Sequence, residues 1–99
     1  MDINTRFGKA LRLVRKYKGL SQEDFSDVSS RTYVSALERG LKSPTLEKVE
    51  MLAREMDIDP LVLLTIAFSA EDEISVESRL GKVSRDVREV QTSGDASGT

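Results

Sequence analysis

Residues 20–40 read LSQEDFSDVSSRTYVSALERG, and this stretch decides how the chain folds. It predicts two short helices joined by a tight turn, because serines that serve as N-caps precede each apolar run. The first helix is predicted over about 22–28. The second is predicted to end near Arg39, with Gly40 at the position past a helix end that favours glycine.

The flanking sequence predicts further helices and therefore an all-α fold. A first helix is expected to end near residue 18, and Phe7, Leu11 and Val14 fall on one of its faces at spacings of four and three. Thr45 is the predicted N-cap of a fourth helix that runs to about residue 56.

A fifth helix is predicted over 60–69, and it is apolar on almost every side. Asp59 and Pro60 open it as the cap and the first helical residue. A helix that is apolar all round is buried on more than one side, whereas a five-helix domain covers only one. We therefore expect the other side to contact a second subunit. The predicted interface residues of this helix are Leu63, Ile66 and Phe68.

Residues 71–91 predict a C-terminal helical extension with an apolar seam of the coiled-coil kind. The seam consists of Leu80, Val83, Val87 and Val90, and the first three join the predicted dimer interface. An isolated helix of this kind is marginal, so it needs the fifth helix of its own chain or of a partner; the sequence leaves both open. The predicted organisation is a five-helix domain over 1–70, the extension over 71–91 and a disordered tail over 92–99.

The composition excludes several classes of protein. The chain has no cysteine and no histidine, so it lacks disulfides, thiolate metal sites and the commonest general base. We expect no enzyme activity, no metal and no cofactor, and the acidic run at 71–73 is interpreted as a solvated turn. No apolar run is long enough to span a bilayer and no signal-peptide pattern is present, which predicts a cytoplasmic protein without membrane contact.

The charges are distributed unevenly along the chain. The net charge is −2 overall. Residues 1–43 contain nine Lys/Arg and five Asp/Glu, a net of +4, whereas residues 44–99 contain six Lys/Arg and twelve Asp/Glu, a net of −6. The basic half includes the two short helices, and this asymmetry predicts separate tasks for the two halves.

The two short helices have the layout of a DNA-binding pair in which the first turn of the second helix enters the major groove of DNA. The chain resembles the Cro/repressor-type helix-turn-helix family, also called the xenobiotic-response-element family of bacterial regulators. The resemblance lies in GLSQE at 19–23, YVS at 33–35, LERG at 37–40 and PTL at 44–46, and it covers about 5–68. It implies a repressor-like five-helix DNA-binding domain that acts as a homodimer on a near-palindromic operator in double-stranded DNA.

One departure from the family pattern concerns the turn before the second helix of the pair. Family members typically have two more residues there, often including a glycine, so 27–32 is a shortened connection. Either the preceding helix loses its last turn or the turn tightens. The correspondence with the family is direct from Tyr33 onward and less direct at Ser29 to Arg31.

The predicted base readers are Arg31, Thr32, Ser35 and Ala36. Arg31 can fork onto guanine, and Ala36 can contact a thymine methyl group. Thr32 matches a base-contact position in the family, and helical spacing places Ser35 and Ala36 toward the groove. An alternative for Arg31 is a phosphate contact, which positions the protein without reading sequence.

A second set is predicted to contact DNA phosphates. Gln22 matches a family glutamine that touches phosphate, and Arg39, Lys42 and Ser43 match the loop that meets the backbone again; Gln22 is otherwise a plain first-turn residue. The full set is Ser21, Gln22, Ser29, Ser30, Tyr33, Arg39, Lys42 and Ser43, with Arg6, Lys9 and Arg12 as outer candidates. The resemblance also implies a structural ion pair between Arg15 and Glu38.

Three functions remain to be compared. The first is a dimeric transcriptional regulator, a repressor by simple occupancy, as in small repressors and restriction–modification controllers. The second is an antitoxin or another protein-interaction module with the same fold, whose C-terminal half binds a partner protein. The third, an enzyme, has no supporting constellation of residues.

Overall fold

The computed structural model describes the backbone of residues 1–96 and the side chains of residues 1–94. This part of the chain contains five α-helices, one 3₁₀ helix and no strand. The elements are α1 (Ile3–Tyr17), the 3₁₀ helix (Gln22–Phe25), α2 (Arg31–Glu38), α3 (Leu46–Glu55), α4 (Pro60–Ser69) and α5 (Val76–Ala96). The predicted all-α class is confirmed, and residues 1–70 are called the body below.

Side-chain caps fix where the helices of the body begin. Asp2 accepts a hydrogen bond from the Thr5 N–H at 2.8 Å at the start of α1. The predicted caps of the later helices are present in the same form, and they are Ser30 for α2, Thr45 for α3 and Asp59 for α4. Each cap satisfies a backbone N–H that has no partner within its helix.

Residues with a positive φ let the chain leave three helices. Gly19 (φ 72°) follows α1 and Gly40 (φ 74°) follows α2. Asp57 (φ 55°) follows α3, at a position where aspartate tolerates the left-handed conformation better than most residues do. The sequence predicts the end of α1 near residue 18 and the glycine turn at Gly40.

The core of the body lies between α1, α2, α3 and α4. Its fully buried large side chains are Phe25, Leu11, Leu37, Leu52, Met56, Leu63 and Val34. The prediction that Leu63 lies in a dimer interface is wrong. Its side chain is fully buried in the core of its own domain. Ile66, one turn further along α4, is only partly buried against that core.

A close approach between α1 and α2 sets the position of α2. A Cβ atom on Gly8 would lie 2.6 Å from the carbonyl oxygen of Glu38, and it would also meet the carbonyl oxygen of Leu37. No real Cβ atom makes such contacts, so only glycine permits this packing. The C-terminal half of α2 is consequently seated directly on the backbone of α1.

The element before α2 is shorter than predicted. A 3₁₀ helix over Gln22–Phe25 replaces the helix expected over 22–28. The N–H groups of Val28 and Ser29 both donate to the carbonyl oxygen of Phe25, at 2.9 and 2.8 Å, and this closes the chain into a turn. The shortened connection is thus accommodated by loss of helix.

Helix α5 extends beyond the body, and the body does not cover the apolar seam of α5. It begins at Val76 behind Ser75, whose hydroxyl accepts from the Ser78 N–H at 3.1 Å. It continues to Ala96, so residues 92–96 of the segment predicted as disordered are helical, since each added residue of an existing helix gains a backbone bond. Residues 97–99 of that segment lie outside the described residues. No helix within 1–96 combines the length and the apolar character needed to cross a bilayer.

Candidate nucleic-acid interface

The first turn of α2 and the 3₁₀ helix form one polar surface, called the reading surface below. Gln22, Arg31, Thr32, Ser35 and Arg39 line a single shallow cleft on it. Arg31, Thr32 and Arg39 are exposed, while Gln22 and Ser35 are half-buried. Three of the four predicted base readers and two of the predicted phosphate residues therefore lie in the same cleft.

Ala36 is the predicted base reader that the structure places elsewhere. Its side chain is buried, as are those of Val34 and Leu37 in the same helix. A buried methyl group has no access to a base edge, so the prediction for Ala36 is wrong. The reason is that α2 is packed through more of its circumference than the apolar residues alone suggest.

Three of the four serines predicted to contact phosphate precede α2, and they differ in their surroundings. Ser30 is exposed, but its hydroxyl accepts from the Tyr33 N–H at 3.1 Å and is committed to the cap of α2. Ser21 is exposed, and its backbone N–H donates to the Asp24 carboxylate at 2.6 Å. Ser29 is half-buried within the turn. Their hydroxyls can still donate outward, since a hydroxyl both donates and accepts.

Tyr33 of α2 lies close to two lysines. Its ring packs partly against the core. The Lys42 Nζ lies 6.0 Å and the Lys48 Nζ 5.4 Å from the ring centroid. Lys42 and the neighbouring Ser43 are exposed in the loop after α2. This places one predicted phosphate residue, Lys42, and one lysine that was not predicted, Lys48, next to the tyrosine.

The predicted pair of Arg15 and Glu38 is present and buried. Arg15 Nε donates to Glu38 Oε2 at 2.6 Å and Arg15 Nη2 to Glu38 Oε1 at 2.9 Å, a bidentate arrangement. Only 11% of the Arg15 side chain and 4% of the Glu38 side chain are exposed. The hydrogen bond to Glu38 raises the pKa of the Arg15 guanidinium. The pair fixes α1 to the end of α2.

The pair extends into a network that includes the reading surface. Gln22 Nε2 donates to Glu38 Oε1 at 3.1 Å, and Arg15 Nη1 donates to the Leu20 carbonyl oxygen at 2.9 Å. Glu38 therefore accepts three hydrogen bonds from two elements. The network holds the 3₁₀ helix, α1 and α2 in one fixed arrangement, and the second N–H of the Gln22 amide remains available.

An acidic residue lies next to the exposed arginine of α2. Arg31 Nη1 donates to Glu23 Oε1 at 3.3 Å, and about 70% of each side chain is exposed (69% and 71%). An ion pair this exposed is weak and is easily exchanged for another partner. Sequence reasoning did not identify Glu23, although its position in the QE pair of the motif is the signal that could have found it.

The basic residues of α1 do not form one group. Arg6 Nη1 is directed to the Ala67 carbonyl oxygen of α4 at 3.4 Å, and the side chain is half-buried. Arg6 therefore does not extend the reading surface as expected. Lys9 and Arg12 are exposed and stay candidates for outer contacts.

The remaining predicted interface residues lie on exposed parts of α4 and α5. Phe68 is 48% exposed, and Leu80, Val83 and Val87 are each exposed to about half (46%, 46% and 48%). An apolar groove between the two helices is lined mainly by Leu61, Val62, Thr65, Ile66, Val76 and Leu80. Among the residues that the structure describes, no cluster of three acidic side chains is arranged to hold a metal.

Comparison with known proteins agrees with this geometry. A sequence profile of the helix-turn-helix family matches residues 11–63, more than half of the chain. The chain is 34% identical over 67 residues to an uncharacterised HTH-type transcriptional regulator, y4dJ, of Sinorhizobium fredii; the alignment covers 66% of this chain and 87% of the relative.

Two solved structures are similar in fold. The crystal structure of the restriction–modification controller protein C.AhdI from Aeromonas hydrophila is 39% identical, with a TM-score of 0.58 over 61% of this chain and 94% of that protein. The clp gene regulator ClgR from Corynebacterium glutamicum is 21% identical, with a TM-score of 0.67 over 94% of this chain and 95% of that one. The second similarity, which extends over nearly the whole chain, concerns the fold alone.

The matched segment includes α2, the 3₁₀ helix and the Arg15–Glu38 pair, which are the elements that build the reading surface. The class to which these comparisons point is one of regulators and not of enzymes. The chain belongs to the helix-turn-helix family and is a DNA-binding transcriptional regulator.

Proposed function

We propose that the protein is a dimeric, sequence-specific repressor that binds a near-palindromic operator and acts by occupying it. The observation that carries this proposal is the contrast within α2. Its first turn presents Arg31 and Thr32 to solvent in a polar cleft, while its end is held by the buried Glu38. A rigidly seated helix with an exposed polar first turn suits insertion into the major groove.

The base contacts are assigned to Arg31, Thr32 and Ser35. Arg31 is exposed and its present partner Glu23 is easily released, so its guanidinium is free to fork onto the O6 and N7 atoms of guanine. Thr32 and Ser35 line the same cleft and can donate to or accept from base edges.

The phosphate contacts surround this group. Gln22 and Arg39 line the same cleft. The other candidates are the Tyr33 hydroxyl within α2 and Lys42 and Ser43 in the loop after it. Ser21, Ser29 and Ser30 are the remaining candidates, through their hydroxyls. Contacts of this kind set the register of the protein on DNA and supply most of the salt-dependent affinity.

Dimerisation is assigned to the exposed apolar faces of α4 and α5. Phe68, Ile66, Leu80, Val83 and Val87 form this proposed interface, with Leu63 removed from the predicted set. We assign these faces to contact with a second copy of the chain, because two identical apolar faces can pack against each other in a symmetric dimer. Such a dimer would present two α2 helices about 34 Å apart, which is one turn of DNA.

Repression by occupancy is supported by the likeness to C.AhdI. That protein, which is 39% identical to this chain, is a restriction–modification controller protein. We place the site of action at the nucleoid, where operator DNA is found.

The test is selection of bound sequences from a pool of random duplex DNA at near-physiological salt. The proposal predicts a recovered palindrome with half-sites about one helical turn apart. Binding without enrichment that disappears as salt rises would contradict it, because that behaviour indicates a purely electrostatic contact.

The Arg31→Ala variant tests the assignment of the base reader. Loss of a bidentate contact should cost about 1–3 kcal/mol on the operator and relax the preference at one base position. A uniform loss over all sequences would instead make Arg31 a phosphate contact. The matched control is Arg39→Ala, which changes another arginine of the same cleft and for which the uniform loss is expected.

A second candidate, an antitoxin or other module that binds a partner protein through the C-terminal half, is favoured by the exposed seam of α5. Sedimentation equilibrium of the purified protein separates the two. A dimer whose mass falls to that of a monomer on truncation after Ser69 supports the homodimer. A monomer in both forms supports the partner protein.

A further inference from the structure

Lys48 is the lysine of α3, and its ammonium group contacts residues outside its own helix. Its Nζ donates to the carbonyl oxygen of Val28 at 2.8 Å. The same Nζ lies 5.4 Å from the centroid of the Tyr33 ring. The side chain is half-buried. One cation on α3 therefore contacts both the turn before α2 and a residue within α2.

The turn that receives this contact is held by its own hydrogen bonds and by one apolar contact. The N–H groups of Val28 and Ser29 donate to the Phe25 carbonyl oxygen, and the Val28 side chain packs partly against the core. Residues 27–32 form a connection two residues shorter than the resemblance implies. The 3₁₀ helix ends at Phe25, so this connection adds no further helical turn. The Lys48–Val28 hydrogen bond thus joins this turn to a third element of the body.

We propose that Lys48 is a positioning residue for the reading surface: it holds the shortened turn and Tyr33 at once, and so fixes the angle at which the first turn of α2 is presented. This inference rests on the proposed function of Arg31 and Thr32 as base readers. Ser30 caps α2 between the two contacts of Lys48, so release of the ammonium would loosen the start of α2 from both sides.

A phosphate contact by Lys48 is the competing explanation, because a lysine ammonium group near a DNA-binding surface can neutralise a phosphate. The geometry favours positioning. The ammonium is already engaged by a carbonyl oxygen and a ring face, and the stem is half-buried. Lys42 offers the matched comparison: it lies 6.0 Å from the same ring but is exposed in the loop after α2.

The experiment compares Lys48→Met with Lys42→Met in the full chain. Methionine keeps most of the apolar stem and removes the charge and the donor. Three quantities are measured: amide hydrogen exchange at Val28 and Ser29 without DNA, the ratio of affinities for the selected operator and for a random duplex, and the salt dependence of each affinity.

Lys48→Met is expected to speed exchange at Val28 and Ser29 and to lower the operator-to-random ratio about tenfold, on the scale of a lost charged hydrogen bond. The affinity for random duplex and the salt slope should not change. Lys42→Met should leave exchange alone, weaken both duplexes alike and reduce the salt slope by about 0.9, as one phosphate contact fewer.

Lys48→Arg is the second variant and should restore the ratio, because arginine keeps a donor and a cation for the Tyr33 ring. Equal weakening of both duplexes by Lys48→Met, or unchanged exchange at Val28 and Ser29, would overturn the inference. Failure of the wild-type protein to select any operator would refute the proposed function, and the exchange measurement would then decide the Lys48 contact by itself.

Discussion

The core of the body and the seam of α5 differ in how far their apolar side chains are buried. In the body, Leu11, Leu37 and Leu52 are fully inaccessible to solvent. In α5, the seam residues Val83 and Val87 stay about half exposed. The body therefore completes its own core and presents a fixed reading surface, whereas α5 has an apolar face whose burial depends on another surface. Stability of the body and association through α5 should respond to different substitutions.

The largest effect is expected from Glu38→Ala, which breaks the buried network at its centre. Arg15 would be left with an uncompensated charge in a site where only 11% of its side chain is exposed. Loss of one partner of a buried pair costs about 3–5 kcal/mol. Urea unfolding monitored by circular dichroism measures this loss.

The double variant Arg15→Met/Glu38→Leu sharpens the result, because replacing both charges removes the cause of the penalty. It should recover most of the stability lost in Glu38→Ala. Equal instability of the single and the double variant would show that packing, and not the unpaired charge, accounts for the loss.

A glycine in each region gives the next comparison. Gly8→Ala places a Cβ against the carbonyl oxygens of Leu37 and Glu38, and we expect destabilisation of about 1–3 kcal/mol from overpacking. Gly81 of α5 has open space around a Cβ. Gly81→Ala should therefore favour the helix by about 1 kcal/mol.

Thermal unfolding of both glycine variants at one protein concentration provides the measurement. A midpoint lowered by Gly8→Ala and raised or unchanged by Gly81→Ala agrees with the contrast between the regions. Tolerance of Gly8→Ala without a shift would mean that α1 and α2 separate easily, against the close seating described above.

Val87→Asp should act on association and leave the body intact. A charge on the proposed seam must be desolvated in the dimer, and we expect the dimer dissociation constant to rise at least about tenfold. Ser78→Asp adds the same charge to an exposed position of α5 outside the seam and serves as the control. Sedimentation velocity over a dilution series reports both, and equal behaviour of the two variants would remove α5 from the interface.

The smallest effect is expected from Glu23→Gln on the reading surface. Its bond to Arg31 is exposed, so its removal should alter operator affinity by no more than about fivefold. The direction should be tighter binding, since Arg31 is released and a negative charge near phosphates is lost. The same substitution in an Arg31→Ala background isolates the pairwise part, and fluorescence anisotropy with labelled operator measures all four proteins.

The elements that the sequence predicts correctly depend on residues close together in the chain. Ser30, Thr45 and Asp59 cap their helices within three residues, and Gly19 and Gly40 end theirs by their own conformational freedom. The family motif adds the Arg15–Glu38 pair, whose partners are 23 positions apart. Local geometry and a known pattern are sufficient for these features.

Other features depend on which elements meet. Helical spacing directs Ala36 outward and Leu63 to a partner, but both are buried because neighbouring helices enclose more of α2 and α4 than their own patterns reveal. The 3₁₀ helix follows from how the turn closes on Phe25, and Lys48 is significant only because α3 brings it to Val28.

The sequence by itself thus determined where the helices of the body begin and that α2 is the second helix of the helix-turn-helix pair, since capping and periodicity act over one or two turns. It did not determine the length of the element before α2 or the end of α5. The tertiary structure alone decided which faces are enclosed, which charges form the Glu38 network and how the first turn of α2 is held. Those properties arise from contacts between elements far apart in the chain, and no local pattern encodes the distance at which two helices pack.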